Sequence, residues 1–418
     1  MFPSAITLEN YRAFASPARL ELRELTLLFG VNNAGKSALL RAFPRLADSL
    51  DPESPGPLNL DSPAARGTSF PELLWQGFGE DDERVMRVGF EIGGGARSLE
   101  VSLKWFPEWA RVIADRVVAR KQGTTEVELS WVPRQRDRAA TVLPYRTGSG
   151  SQGELSFSGL APQSTDPELD SLLEPYRVAA RSLHGRVQWL SAARRLSKAR
   201  HYSLPPSPRR QLHEEGDDAP LALASRPELL EEVSAWYENN LGARLKVRDV
   251  PPGSFRLVLE RSDRAAFQVD LLDGGEGLAQ VLPVLTALAM ARQSNGNGPR
   301  VLAIEEPESH LHPELQRALA DEICRTAAGE NAPIQILETH SKNLLLDVKL
   351  QIAKKALPPE RVIVYWVRQL DDGESFLYPI TFDADARPEG DDFPPGVFNE
   401  DLALSREILR ARESGNGG

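Results

Sequence analysis

The 418-residue sequence predicts an α/β protein, and three observations carry that prediction. The apolar run LTLLF (25–29) enters a glycine-rich loop that leaves as SALLRAF, a strand–loop–helix unit. Between about 84 and 132 the runs RVMRVGFEI, SLEVSLKW and TEVELSWV alternate apolar and polar residues. That period of two puts one face of an antiparallel sheet on a core and the other in water. From 226 onward, short apolar strands alternate with helices, the pattern of a parallel sheet covered on both faces.

Along the chain, strands at Ala5–Leu8 and Arg19–Arg23 precede the one at Leu25–Phe29. A helix follows with Leu39, Leu40, Phe43 and Leu46 at apolar spacing. Residues 147–170 and 203–220, rich in Ser, Gly, Pro and Gln, read as loops. Next come a helix at Pro227–Leu241 and strands near Phe255–Glu260 and Phe267–Leu272. An apolar helix (Leu278–Arg292), a buried strand (Val301–Ile304), a helix (Pro313–Ala327) and strands at Ile334–Leu337 and Val362–Val367 complete the set. There is no internal repeat and no sustained heptad, so no coiled-coil arm is expected. The expected organisation is an N-terminal lobe (1–145), an inserted loop and helical region (146–225), a C-terminal lobe (226–342) and a closing segment (343–418).

Apolar residues at 41% and charged residues at 26% supply an ordinary globular core. The single cysteine, Cys324, excludes a disulfide framework and fits a reducing compartment. No run of 18 apolar residues occurs, and MFPSAITLENYRAF lacks the basic start and apolar run of a signal peptide. A soluble, cytoplasmic protein with no membrane partner is therefore expected. A net charge of −11 argues against a chain that coats nucleic acid, yet residues 181–210 hold eight basic residues and no acid. With Trp189, His201 and Tyr202 interleaved, that stretch fits phosphates and bases of nucleic acid, or a solvated face meeting an acidic partner.

Gly30-Val-Asn32-Asn33-Ala34-Gly35-Lys36-Ser37 is GxxxxGKS, followed by Ala38. Small residues let backbone N–H groups wrap a β-phosphate, the lysine neutralises the β- and γ-phosphates, and the hydroxyl holds Mg²⁺. A helix starting at Lys36 adds the positive end of its dipole. The segment VLAIEEPESHLHP (301–313) ends a buried strand in two carboxylates. A Mg²⁺-dependent hydrolase needs such a pair, Glu305 on the metal side and Glu306 to take a proton from water. Leu337-Glu-Thr-His340-Ser brings a histidine to another strand end, where ligands gather in open α/β sheets.

In this order the three motifs resemble the ABC-type ATPases of the SMC, RecF and OLD group. The resemblance implies an ABC-type P-loop head, with an antiparallel β subdomain and a RecA-like mixed sheet flanked by helices. It implies ATP and Mg²⁺ as ligands, Lys36 and Ser37 as Walker A residues, Glu306 as catalytic base and His340 as γ-phosphate sensor. It also implies a signature at Asp273–Gln280, whose Gly275 and Gly277 would meet the γ-phosphate of a second subunit in a head-to-tail homodimer. The segments 58–77, 187–195, 274–285 and 391–402 are similar to a prokaryotic subfamily of stand-alone AAA-type, ABC-fold ATPases. Members of that subfamily commonly occur in anti-phage defence beside a separate effector protein. Arg194 matches that subfamily's arginine after a Tyr-Leu-Gly-Pro-Leu stretch, which here reads Trp-Leu-Ser-Ala-Ala, and Arg194 or Arg195 is expected to reach the nucleotide or a buried carboxylate. Relatives carry serine where this chain has Ala279, which removes a hydroxyl donor to a γ-phosphate in trans. Gln76 is the candidate glutamine-loop residue, and Asp383-x-Asp385 reads as a solvated acidic loop rather than a nuclease site. A RecF-like repair ATPase and an OLD-type nuclease are the competing expectations.

Overall fold

The computed structural model describes residues 2–51, 56–77, 84–148, 150–195, 202–203, 210–250, 253–261, 263, 267–293 and 298–389. Strands β1 (Pro3–Glu9), β2 (Ala18–Glu21) and β3 (Leu25–Gly30) open the chain, followed by α1 (Lys36–Ser49) and the short α2 (Phe70–Leu73). A meander follows: β4 (Val85–Ile92), β5 (Arg97–Phe106), β6 (Arg111–Lys121), β7 (Thr124–Trp131), β8 (Leu143–Thr147), β9 (Gln152–Ser158) and β10 (Ala161–Ser164). Then come α3 (Pro167–Arg181), β11 (Val187–Leu190), β12 (Tyr202–Ser203), α4 (Ala219–Ser225) and α5 (Pro227–Leu241). The second half holds β13 (Ala243–Val250), β14 (Ser254–Arg261), β15 (Gln268–Asp270), α6 (Glu276–Gln293), β16 (Val301–Glu305) and α7 (Pro313–Ala328). It closes with β17 (Ile334–Thr339), α8 (Lys342–Ala353), β18 (Val362–Gln369), β19 (Ser375–Phe382) and β20 (Pro388–Glu389).

The protein is α/β, with antiparallel and mixed sheets flanked by helices. Nine strands form an antiparallel sheet in the order β10-β9-β8-β7-β6-β5-β4-β1-β2. The mixed sheet runs β11-β16-β17-β3-β18-β19-β20; its first five strands are parallel and β19 and β20 antiparallel. A small sheet of β12, β14 and β13, with β15 on β14, packs beside α5.

The mixed sheet is the middle layer, and its side-chain alternation makes it so. On one face Leu28, Val301, Ala303 and Ile336 join a core with α1 and the nine-stranded sheet. On the other, Leu27, Phe29, Leu302 and Ile304 join a second core with α6 and α7. A strand buried on both faces reads as a continuous apolar run, as LTLLFG does, with all six residues buried.

Three expectations change. Residues 147–170 are not a loop: β9, β10 and the start of α3 occupy them. Leu155 and Ala161 fill the core, and Asp166 caps α3 by accepting from Glu168 N and Leu169 N. Sheet pairing overrides the polar composition there. Strands β6 and β13 were not anticipated, because their outward charges hide the alternation; Lys246 and Arg248 of β13 pair with Glu260 on β14. Of 203–220, residues 204–209 lie outside the described residues, and α4 begins at Ala219. Among the described residues no coiled-coil arm leaves the fold and no helix is long and apolar enough to cross a membrane.

Candidate nucleotide-binding site

The glycine-rich loop is set by its neighbours before any ligand arrives. A Cβ on Gly30 would lie 2.3 Å from the Val367 carbonyl oxygen of β18, so only a hydrogen fits between loop and sheet. Asn33 (φ 64°) and Gly35 (φ 95°) turn the chain through the left-handed region into α1. The first turn of α1 then aims its unpaired N–H groups at the loop. Lys36 is 3% exposed, and its Nζ donates to Gly30 O (3.1 Å) and Val31 O (2.7 Å). Burial pulls its ammonium below the ordinary lysine value, against the opposing pull of Glu338 and Glu306.

The ends of β16 and β17 supply the acids. Glu306 leaves β16 in a left-handed conformation (φ 42°) that is strained for a non-glycine residue. Its N–H donates to Glu338 O at 2.8 Å, and its Oε2 accepts from Ser309 Oγ at 2.8 Å. His340, at the end of β17, is exposed. Partial burial and the charge of Lys36 hold its imidazole below the usual histidine value, so at neutral pH it keeps a single N–H to donate.

Lys36, Ser37, Glu306 and His340 line one cleft of about 790 Å³, together with Asn32, Asn33, Gly35 and Ala38. Its far wall carries Arg12, Arg41, Arg45 and Arg66 beside Trp75 and Gln76. Glu72, Glu338 and Asp372 line it as well, so Lys36 and the arginines can meet a polyphosphate while the acids remain for a cation. Gln76 lines it while donating Nε2 to Pro71 O and Leu74 O.

Other expected residues lie elsewhere. Gly30 and Ala34 support the loop from behind. Glu305 is 1% exposed and does not line the cleft. Both of its oxygens accept from Arg41, at 2.6 and 2.7 Å, and it also accepts from Trp189 Nε1 (3.1 Å) and Ala192 N (3.3 Å). The acid beside Ser37 is instead Glu338, whose Oε1 accepts from Ser37 Oγ at 2.7 Å. Arg194 also stays out of the cleft. It is 1% exposed and donates to Ser191 O, Glu305 O, Glu306 O and Gln280 O, so its guanidinium ties backbone rather than a ligand. Gly275 and Gly277, at the start of α6, do not line the cleft.

Sequence reasoning missed several of these groups. Ser37, Arg41 and Arg45 are spaced i, i+4, i+8 and share a face of α1, a signal that was readable. Glu308, the third acid of EEPE, was readable too. Its buried Oε1 accepts from Thr339 Oγ (2.5 Å), His340 N and Ser341 N (both 3.2 Å), and so pins the His340 loop. Glu338 gave no comparable signal.

For a divalent cation, Ser37 Oγ and Glu338 offer hard oxygen donors, and Glu338 Oε2 is buried with no partner. These residues fit Mg²⁺; Glu305, neutralised by Arg41, fits it less well. Among the described residues there is no group of three or more His, Cys, Asp or Glu poised to hold a metal alone, so phosphate oxygens and waters would complete the shell. Asp383 accepts from Asp385 N and Arg387 N, a turn-stabilising role. In the basic stretch Arg186 sits over the Phe2 ring, while Lys198, Arg200, His201 and Arg209 lie outside the described residues. So does the closing segment 391–402.

The family model described as "AAA domain, putative AbiEii toxin, Type IV TA system" matches residues 25–347. The chain belongs to this AAA domain family. No curated protein matches it. Among solved structures it is similar to the SMC head domain from Thermotoga maritima, at 10% identity over 91% of this chain and 99% of that one, with a TM-score of 0.43. An SmcHead bound to the C-winged helix domain of ScpA gives 9% identity, 92% and 98% coverage and a TM-score of 0.48. The Smc head with an extended coiled coil bound to the ScpA C-terminal domain, from Pyrococcus furiosus, gives 10%, 98% and 99%, and 0.46. The AAA family match spans β3 through α8, so it contains the loop, both acidic strand ends and His340.

Proposed function

We propose that this AAA domain protein is an ABC-type ATPase that works as an ATP-gated switch. Two copies close head to tail on ATP, and the change of state controls a separate effector in prokaryotic anti-phage defence. The observation that carries this reading is the meeting of Lys36, Ser37, Glu306 and His340 in one cleft. The exposure of Gly275 at the start of α6, away from that cleft, leaves it open to a second copy's nucleotide. The four segments 1–145, 146–225, 226–342 and 343–418 are proposed as its working divisions, and the cytoplasm as its compartment.

In this mechanism the loop N–H groups, Lys36 and the α1 dipole balance phosphate charge. Bound Mg²⁺ would supply further charge neutralisation at the β- and γ-phosphates. Glu306 takes a proton from water as the water oxygen bonds to the γ-phosphorus. The bond from that phosphorus to the bridging oxygen breaks, and ADP and phosphate result. His340 donates its N–H to the γ-phosphate.

The test is Glu306→Gln, read by phosphate release and by size-exclusion chromatography with ATP. Trapped dimer without turnover is the expected result, and full hydrolysis in that variant removes the role of Glu306. Plaque counts in a phage-challenged bacterial host expressing the unaltered chain or Lys36→Ala, each with and without a candidate effector, test the defence role; unchanged counts reject it.

A further inference from the structure

The sequence pattern places the metal-side acid at Glu305, and the geometry disagrees. Glu305 and Glu338 are register partners at the ends of the parallel neighbours β16 and β17. Two carboxylates side by side in a buried place repel, and each needs its own counter-charge. Glu305 has one, since Arg41 grips both its oxygens and Trp189 and Ala192 add hydrogen bonds. Glu338 has only half an answer: Oε1 accepts from Ser37 Oγ at 2.7 Å, while Oε2 has no partner although the residue is 4% exposed. Glu338 lines the cleft; Glu305 does not.

We infer that Glu338, not Glu305, is the carboxylate that serves the divalent cation at Ser37. This rests on the ATPase reading and deepens it. A serine hydroxyl can keep donating its proton to Glu338 while its lone pair faces a cation, so the Ser37–Glu338 bond survives loading. The Oε2 atom, which has no hydrogen-bond partner, then gains a direct one. Glu305 becomes a structural acid that fixes Arg41 and the end of β11.

The experiment uses the whole chain with Mn²⁺ as the probe and a non-hydrolysable ATP analogue. Mn²⁺ affinity is followed by electron paramagnetic resonance for the unaltered chain, Glu338→Gln, Glu338→Asp and Glu305→Gln. Glu338→Gln should weaken Mn²⁺ by about 10-fold or more, on the scale of lost groups around a metal. Nucleotide binding in EDTA, measured alongside, should hold in both glutamine variants and thereby report correct folding. Glu338→Asp, which keeps the charge, should fall between. Glu305→Gln should leave Mn²⁺ affinity near that of the unaltered chain. A larger or equal loss in Glu305→Gln overturns the assignment while leaving the ATPase reading intact. Failure of the unaltered chain to bind the nucleotide overturns that reading, and this inference with it.

Discussion

Arg194 donates hydrogen bonds to the main-chain oxygens of both Glu305 and Glu306, at 2.6 and 2.7 Å. One buried guanidinium thus holds the peptide units where β16 ends and Glu306 turns toward the cleft. Two further bonds, to Ser191 O and Gln280 O, link that turn to β11 and α6. Burial pulls the guanidinium down to about 10, still charged at neutral pH.

Arg194→Lys is therefore expected to destabilise the chain by about 2–4 kcal/mol, since a lysine cannot serve four carbonyls in one plane. Urea unfolding measures this. A variant of full stability that fails to bind ATP would instead make Arg194 a nucleotide ligand, the role its sequence position first suggested.

Gly277 and Gly275 should respond differently to alanine. A Cβ at 277 would stand 2.3 Å from His310 O, so Gly277→Ala must move α6 away from the loop after β16. A loss of about 1–3 kcal/mol is expected from such overpacking. At 275 there is open space but a φ of 114°, so Gly275→Ala costs only backbone strain, about 1–2 kcal/mol. On the proposed reading both also impair ATP-driven dimerisation. Thermal unfolding of the free chain, set against light scattering with ATP, separates the two effects.

Lys36→Met removes a buried ammonium whose hydrogen bonds, among the described residues, go to the carbonyls of Gly30 and Val31. The free variant should melt no lower than the parent, because an apolar isostere avoids the desolvation that lowers the lysine pKa. The rise in melting temperature that nucleotide gives the parent should vanish. A variant that melts well below the parent would contradict the account of Lys36 as a residue held at a cost for function.

Glu308 gives a pH prediction. Burial raises its folded-state value above 4.5. Above pH 4.5 the folded chain keeps a proton that the unfolded chain has lost, so stability from this group is full below 4.5 and drains away as pH rises through the folded value. Glu308→Gln should flatten that decline in denaturant midpoints taken from pH 4 upward. A steeper decline in the variant would reverse the assigned sign.

Contiguous chemistry was legible from sequence; chemistry assembled across the chain was not. The loop at Gly30–Ser37, the strand end at Glu305–Glu306 and His340 each lie in a short run whose own pattern fixes strand, turn and exposed group. Glu338 belongs to the cleft because of Ser37, which is 301 residues away, and Glu305 is withdrawn from it by Arg41, 264 residues away. No local pattern encodes such a pairing. The same limit explains Arg194, which was matched by position but whose partners are carbonyl oxygens of its own turn and of two distant segments. In the fold, the alternating runs of 84–132 and the apolar strands after 300 were readable because burial dictates residue type. Strands β9 and β10 were not, because Ser, Gly and Gln there face outward on strands that are held mainly by their ladder.

Strand β3 carries the loop, yet its two neighbours in the sheet are β17 and β18. On a ribosome, residues 25–30 emerge more than three hundred residues before either flanking strand is made. Until then an apolar hexapeptide stands with both edges unsatisfied, a template for wrong pairing. The nascent AAA domain must therefore shelter that segment, in a chaperone or against the early antiparallel meander. The glycine-rich loop takes its final shape only once Val367 has been added and folded back against Gly30.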